Sequence, residues 1–173
     1  VPAIQAAGPA RAGQRQGKYL LFHLGREEFG VQVLKVREIM GLQEITEVPQ
    51  MPAFVRGVIN LRGKVIPVVD LRRKFGLANA PDTPHTCIVV MQVAHEGGPL
   101  LTGVIVDGVS EVATLQDGEI EDAPGFGGDL DAPYILGLAK VKGKVKILLD
   151  IDQALACQEL KGLEVLAAAE QAV

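Results

Sequence analysis

GVINLRGKVIPVVDL, residues Gly57–Leu71, returns later in the same chain as GLAKVKGKVKILLDI, Gly137–Ile151. In that ungapped pairing Gly57, Gly63, Lys64, Val65 and Asp70 meet identical residues, and most other positions pair apolar with apolar. Upstream of each copy lies a second shared block. FGVQVLKVREI, Phe29–Ile39, matches TGVIVDGVSEV, Thr102–Val112, with identities at Gly30, Val31, Val33, Val36 and Glu38. The two blocks recur in the same order at offsets of 80 and 73 residues. That period is too long for a solenoid and indicates two copies of one small module.

Each copy is built for strands. Gly57–Leu61 and Lys64–Asp70 are joined at Arg62-Gly63, where glycine supplies the positive φ of a tight hairpin, and Lys142-Gly143 plays the same part in the second copy. Ile66, Val68 and Val69 suit a sheet buried on both faces. Further strands are predicted over Lys18–Leu24, Glu28–Val33, Thr86–Ala94 and Leu100–Val106, with turns at Gly25-Arg26-Glu27 and Glu96–Pro99. Val33–Met40 has the makings of one or two helical turns ending at Gly41. A longer helix is predicted from about Asp152, where Leu155, Leu160, Leu163 and Leu166 form an approximate apolar stripe. Short strands with glycine turns, repeated once, predict a mainly β fold of paired small barrels or a sandwich. A barrel of about five strands fills with its own side chains. The working surfaces are then its exterior and the groove between the halves.

Composition sets the class. The chain has 173 residues, 48% hydrophobic content and a net charge of −4, the profile of a globular protein. No apolar run approaches the roughly 18 residues of a membrane span, and Val1–Gly17 reads as a flexible tail. Cys87 and Cys157 are too few for a disulfide framework, which fits a reducing compartment. His23, His85 and His95 fall on separate strands or turns, and His85-Thr86-Cys87 lacks zinc-site spacing. Gly125-Phe126-Gly127-Gly128 follows Pro124 and reads as an ordinary loop, not a phosphate cradle. No catalytic residue, cofactor or metal site is expected. Charge is segregated: ten acids and no Lys or Arg lie between Phe75 and Ala139, six of them in Asp117–Asp131. Arg56, Arg62, Lys64, Arg72, Arg73 and Lys74 face the single acid Asp70, and Lys140, Lys142, Lys144 and Lys146 cluster on the second hairpin. These are either solvated faces or two unlike docking surfaces. Negative net charge and few aromatics argue against nucleic acid.

The segment FVRGVINLRGKVIPVVDLRRKFG, Phe54–Gly76, resembles the central signature of the CheW family of chemotaxis coupling proteins. YLLFHLGREEFGVQVLKVREI (Tyr19–Ile39), VPQMPAFVRG (Val48–Gly57), TGVIVDGVSEV, GEIEDAPGF and YILGLAKVKGKVKILLDI extend the likeness to about Cys157. The resemblance implies two intertwined five-stranded SH3-like β-barrels with short helices and a C-terminal helix. It divides the chain into a tail at 1–17, a double-barrel domain at 18–157 and a helical extension at 158–173. It further implies a non-catalytic, cytoplasmic adaptor at receptor arrays beneath the inner membrane. The partners implied are a CheA-type histidine kinase, through its C-terminal regulatory domain, and the cytoplasmic tips of methyl-accepting chemoreceptors. The adaptor itself does not insert into the membrane. Two related readings keep the fold: the regulatory domain of a CheA-type kinase, or an adaptor of another chemosensory pathway such as surface motility or biofilm signalling. A small-ligand-binding β-barrel is the reading from a different class.

By resemblance, Val36, Glu38 and Gly57 match positions of the family's kinase contact. Asn60 and Arg62 match positions linked to receptor coupling, and Ile88 and Val112 sit where the family lines or supports its groove. Each has a structural alternative. Val36 and Val112 occupy apolar places in the repeated blocks, Gly57 serves backbone geometry, and Asn60 bonds the adjoining turn. Arg62 at a hairpin tip is the strongest functional candidate, a guanidinium suited to receptor carboxylates.

Overall fold

The computed structural model describes residues 15–77, 81–95, 98–122 and 134–155. Eleven strands run through them: β1 (Gly17–Leu24), β2 (Glu27–Gln32), β3 (Val36–Gly41), β4 (Val55–Leu61), β5 (Lys64–Asp70), β6 (Cys87–His95), β7 (Gly98–Val106), β8 (Gly108–Leu115), β9 (Ile120–Glu121), β10 (Ile135–Val141) and β11 (Lys144–Leu149). Two single-turn helices, α1 (Leu71–Lys74) and α2 (Ile151–Ala154), follow the repeated hairpins. The fold is mainly β, as the sequence predicts. The Gly125–Gly128 loop, Cys157 and the rest of the C-terminal helical stripe lie outside the described residues.

The duplication is intertwined. One sheet, barrel I, has the order β8-β1-β2-β11-β10-β9, and the other, barrel II, has β3-β6-β7-β5-β4. Replacing β1, β2, β8, β10 and β11 by β6, β7, β3, β4 and β5 converts one order into the other. Each copy is therefore divided between the sheets, its first two strands joining one and its last three the other: β3 pairs with β6, and β8 pairs with β1. Parallel pairings of β11 with β2 and of β5 with β7 complete the exchange. The short β9, which adds a sixth strand to barrel I, is matched in barrel II by an isolated bridge between Thr46 and Val58.

Strand alternation sends side chains into three cores. Tyr19, Leu21, Ala139 and Leu148 fill barrel I, and their repeat equivalents Ile88, Val90, Ile59 and Val68 fill barrel II. The intervening residues Leu20, Phe22, Val31, Val69, Val89, Met91 and Leu149 face one another in a shared layer between the barrels. This is why the central strands are apolar on both faces. The repeated Gly30 and Gly103 keep the barrels small. A Cβ there would stand 2.9 Å from Leu21 Cδ2 or from Ile88 Cγ2, closer than packed carbons approach.

One local expectation fails. Val33–Lys35 makes a single 3-10 turn, and Val36–Gly41 is strand rather than helix. Its β-branched residues meet the free edge of β6, and pairing with that edge overrides the weak helical pattern.

Charge segregation also folds away. Lys146 is not part of a solvated basic face. It is 4% exposed and its Nζ lies 2.7 Å from Glu28 Oε1, across the parallel β11–β2 pairing. Barrel II has Ile66 and Leu101 at the equivalent positions, Ile66 inside its core and Leu101 half-buried against it. Replacing a buried ion pair by apolar residues of similar size is often neutral or stabilising by about 1–4 kcal/mol, whereas removing one partner costs about 3–5 kcal/mol. Glu28→Leu/Lys146→Ile is thus expected to match or exceed the parent in urea unfolding, with Glu28→Leu alone well below it. A double variant as unstable as the single one would contradict this.

Candidate interaction surface

The repeated hairpins set the site geometry. Arg62 and Gly63, at φ of 50° and 89°, close the β4–β5 hairpin, and Lys142 and Gly143, at 54° and 80°, close the β10–β11 hairpin. Positive φ at both central residues is the type I′ arrangement that suits the twist of a two-residue hairpin. The sequence anticipates the glycine's part in this but not the arginine's. Asn60 Oδ1 accepts the Gly63 N–H at 2.8 Å, so Asn60 does bond the turn.

Arg62 is not a free guanidinium. It forms a two-pronged pair with Glu38 on β3, one prong at 3.2 Å. β3 and β4 are the outermost strands of barrel II, so this contact clasps the open side of the barrel. Barrel I repeats the device: Lys142 Nζ lies 3.0 Å from Glu111 Oε1 on β8. Glu38 and Glu111 are identical positions of the repeat, and the clasp gives that identity a physical reason. Arg62 holds the Glu38 carboxyl below the usual carboxylate range. The pair joins a residue matched to the kinase contact with one matched to receptor coupling.

Gly57 lies on β4 beside a break in the β4–β5 register. Thr46 and Val58 exchange backbone hydrogen bonds of 2.9 Å there. A Cβ on Gly57 would overlap the Thr46 carbonyl oxygen and stand 2.8 Å from its carbon. A hollow of 490 Å³ opens alongside, lined by Val48, Pro49, Val58, Ile59, Asn60 and Val65 among others. Val36 is half-buried against the shared layer. Ile88 is fully buried inside barrel II and presents no surface to a partner. Val112, in contrast, is 54% exposed on the edge strand β8, and its repeat equivalent Ile39 is 47% exposed on the edge strand β3. Sequence reasoning notes this equivalence but reads Val112 as packed or groove-lining, since the pattern alone does not say which face of an edge strand is covered.

Behind the hairpin sits a buried charge network that sequence reasoning divides between two surfaces. Arg72 bonds both oxygens of Asp70 at 2.9 and 3.0 Å, Asp82 at 2.9 Å and Asp107 at 2.9 Å. Arg56 adds 3.3 Å contacts to Asp70 and Asp82. Asp82 and Asp107 come from the acid-rich stretch, so much of the basic cluster is neutralised within the chain. Burial alone would raise the Asp70 carboxyl, but hydrogen bonds and charge from Arg72 bring it below the usual range. Asp150, its repeat equivalent, caps α2 through the Asp152 and Gln153 N–H groups. With no arginine bonded to it, burial pushes its carboxyl up.

No helix among the described residues is long and apolar enough to cross a membrane. Residues 18–159 match the family model described as a CheW-like domain. The chain is 37% identical to the chemotaxis protein CheW of Klebsiella aerogenes, over 86% of this chain and 88% of that one. It is 34% identical to CheW of Rhizobium meliloti, over 81% and 88%. Among solved structures, the scaffolding protein TtCheW from Thermoanaerobacter tengcongensis superposes with a TM-score of 0.73 at 30% identity, over 83% of this chain and 95% of that one. Duplicated hairpins, two sheets that each draw strands from both copies and these matches lead to one assignment: the chain belongs to the CheW-like family.

Proposed function

We propose that this chain is a non-catalytic adaptor that couples a CheA-type histidine kinase to the cytoplasmic tips of methyl-accepting chemoreceptors, in arrays beneath the inner membrane. The observation that carries this reading is the pair of equivalent apolar residues, Ile39 and Val112, left exposed on the edge strands of two barrels. Edge strands with uncovered apolar side chains are natural places for another protein to dock. Both barrel interiors are packed with side chains, which works against a reading as a ligand-enclosing barrel. Val36, Glu38 and Gly57 are assigned to the kinase contact. Asn60, Arg62 and Val112 are assigned to receptor coupling, and Ile88 supports that face from within the barrel. The adaptor acts by geometry, holding the kinase where receptor movements reach it.

Arg62→Ala separates fold from function. The Arg62–Glu38 pair is solvent-exposed, with Arg62 at 72%, and exposed pairs contribute little to stability. The melting midpoint is therefore expected to stay close to that of the parent, while co-sedimentation with receptor-containing membranes falls several-fold. Unchanged co-sedimentation would remove Arg62 from the receptor surface.

A further inference from the structure

We propose that two equivalent latches of unequal strength pin the barrels to each other, and that the molecule opens at the weaker one, Lys35–Asp152–Ala94, pivoting on Arg72–Asp107–Gly25. The parts correspond through the repeat. Arg72 follows the first repeated hairpin as Asp152 follows the second. Asp107, in the β7–β8 crossover, holds the place of Leu34 in the β2–β3 crossover, next to Lys35. Gly25 follows β1 at the place that Ala94 holds near the end of β6, since Leu21 faces Gly30 and Val90 faces Gly103. In the first latch Arg72 donates to Asp107 Oδ1 at 2.9 Å, and Asp107 Oδ2 accepts the Gly25 N–H at 2.6 Å. In the second, Lys35 donates to Asp152 Oδ2 at 2.6 Å, and Asp152 Oδ1 accepts the Ala94 N–H at 2.8 Å. The charges are reversed between the copies, yet each time one carboxylate bridges a cation and the equivalent amide. Each latch runs from the helix behind one barrel's hairpin, through a crossover, to the first strand of the other barrel.

The two differ in what holds the cation. The Arg72 side chain is 5% exposed and is gripped by Asp70 and Asp82 as well as by Asp107. The Lys35 side chain is 31% exposed where it meets Asp152. An ion pair open to water contributes little and is screened by salt, whereas a buried guanidinium is costly to strand. Asp150 works against the second latch: burial and the nearby Asp152 charge push its carboxyl up, and both acids act on one lysine. Leu34 is 85% exposed where its counterpart Asp107 supplies a carboxylate. Ile151, Ala154 and Leu155 enter the shared layer beside Asp152. Release of this latch therefore uncovers apolar surface there, while Leu71 and Phe75 stay docked behind Arg72.

The test is amide hydrogen exchange of the full chain, labelled with nitrogen-15 and followed by NMR at several low urea concentrations. The Ala94, Ala154 and Leu155 amides, bonded to Asp152, Asp150 and Ile151, report the second latch. The equivalents of Ala94 and Leu155, Gly25 and Phe75, report the first. Ala94, Ala154 and Leu155 are expected to share one opening free energy and one urea slope, the mark of a joint opening that exposes surface. Corrected for intrinsic rates, Ala94 and Leu155 are each expected to be at least tenfold less protected than their counterparts. Lys35→Gln, a change at a half-exposed position, is expected to speed all three by the same factor, at least threefold, and to leave Gly25 and Phe75 within twofold. Leu34→Asp/Asp152→Arg transplants the first latch into the second copy and is expected to slow Ala94 exchange at least threefold. Equal protection at the two latches, unequal responses of Ala94 and Leu155 to Lys35→Gln, or a transplant that leaves Ala94 exchange unchanged would each overturn the proposal. The adaptor reading is not at stake in these outcomes, since neither latch uses a residue assigned to a partner contact.

Discussion

Asp70→Asn is expected to lower the unfolding free energy by about 3 kcal/mol, while Asp150→Asn leaves it within about 0.5 kcal/mol of the parent or raises it. The two aspartates are the same position of the repeat, and each caps a single-turn helix. Their surroundings differ. Asp70 is 1% exposed and compensates Arg72, which is itself buried, together with Arg56. Removing its charge strands that guanidinium, although Asp82 and Asp107 retain part of the compensation. This places the loss at the low end for breaking a buried pair. Asp150 has no such partner, and asparagine caps a helix as well as aspartate does.

The sign of the pH dependence follows from the same contrast. Asp70 titrates lower in the folded protein than in the unfolded chain. Its contribution is thus present above the unfolded carboxylate range and lost as pH falls through the folded value. Asp150 titrates higher when folded. Its contribution is present below the unfolded carboxylate range and is lost as pH rises through the folded value, so at neutral pH its charge is a cost. Urea unfolding followed from neutral pH into acid is expected to show a shallower decline for Asp70→Asn than for the parent. Equal losses for the two variants at neutral pH would contradict the network's role.

Gly57→Ala is expected to cost about 3–4 kcal/mol, roughly 10 °C in melting midpoint. Its φ of 139° disfavours any side chain, and the added carbon collides with backbone, not with a side chain that can turn away. Gly137→Ala, at the repeat-equivalent place, meets the Glu121 carbonyl oxygen and Ile120 Cγ2 at 2.7 Å each, a milder overlap. Thermal melts of the two variants are expected to rank Gly57→Ala below Gly137→Ala. A Gly57 variant that melts like the parent but loses kinase binding would mean that the position acts by direct contact. Loss of both would mean that it acts by holding Thr46 against β4.

Much of this was legible because the chain carries its own comparison. Pairing the two copies predicts the hairpins, the turn glycines and the β-rich duplicated fold, and resemblance to the CheW family adds the intertwined barrels. The pairing even contains the correction to the helical reading of Val33–Met40, since the matching TGVIVDGVSEV is plainly strand-like. What the sequence hides is contact between distant segments. Nothing local says that Glu38 bonds Arg62, that Asp82 and Asp107 converge on Arg72, or that Lys146 turns inward to Glu28. Those pairings depend on which distant segments the two sheets bring side by side, and charge counted along the chain mistakes them for separate surfaces.

We propose that this chain physically joins a kinase to receptors. The most direct measurement is reconstitution of the cognate kinase with receptor-containing membranes, with and without this protein, following co-sedimentation and kinase autophosphorylation together. Kinase recruitment and receptor control of autophosphorylation are expected to appear only when the protein is added, and to weaken with Arg62→Ala. A folded sample that sediments with neither partner and leaves kinase activity unchanged would contradict it.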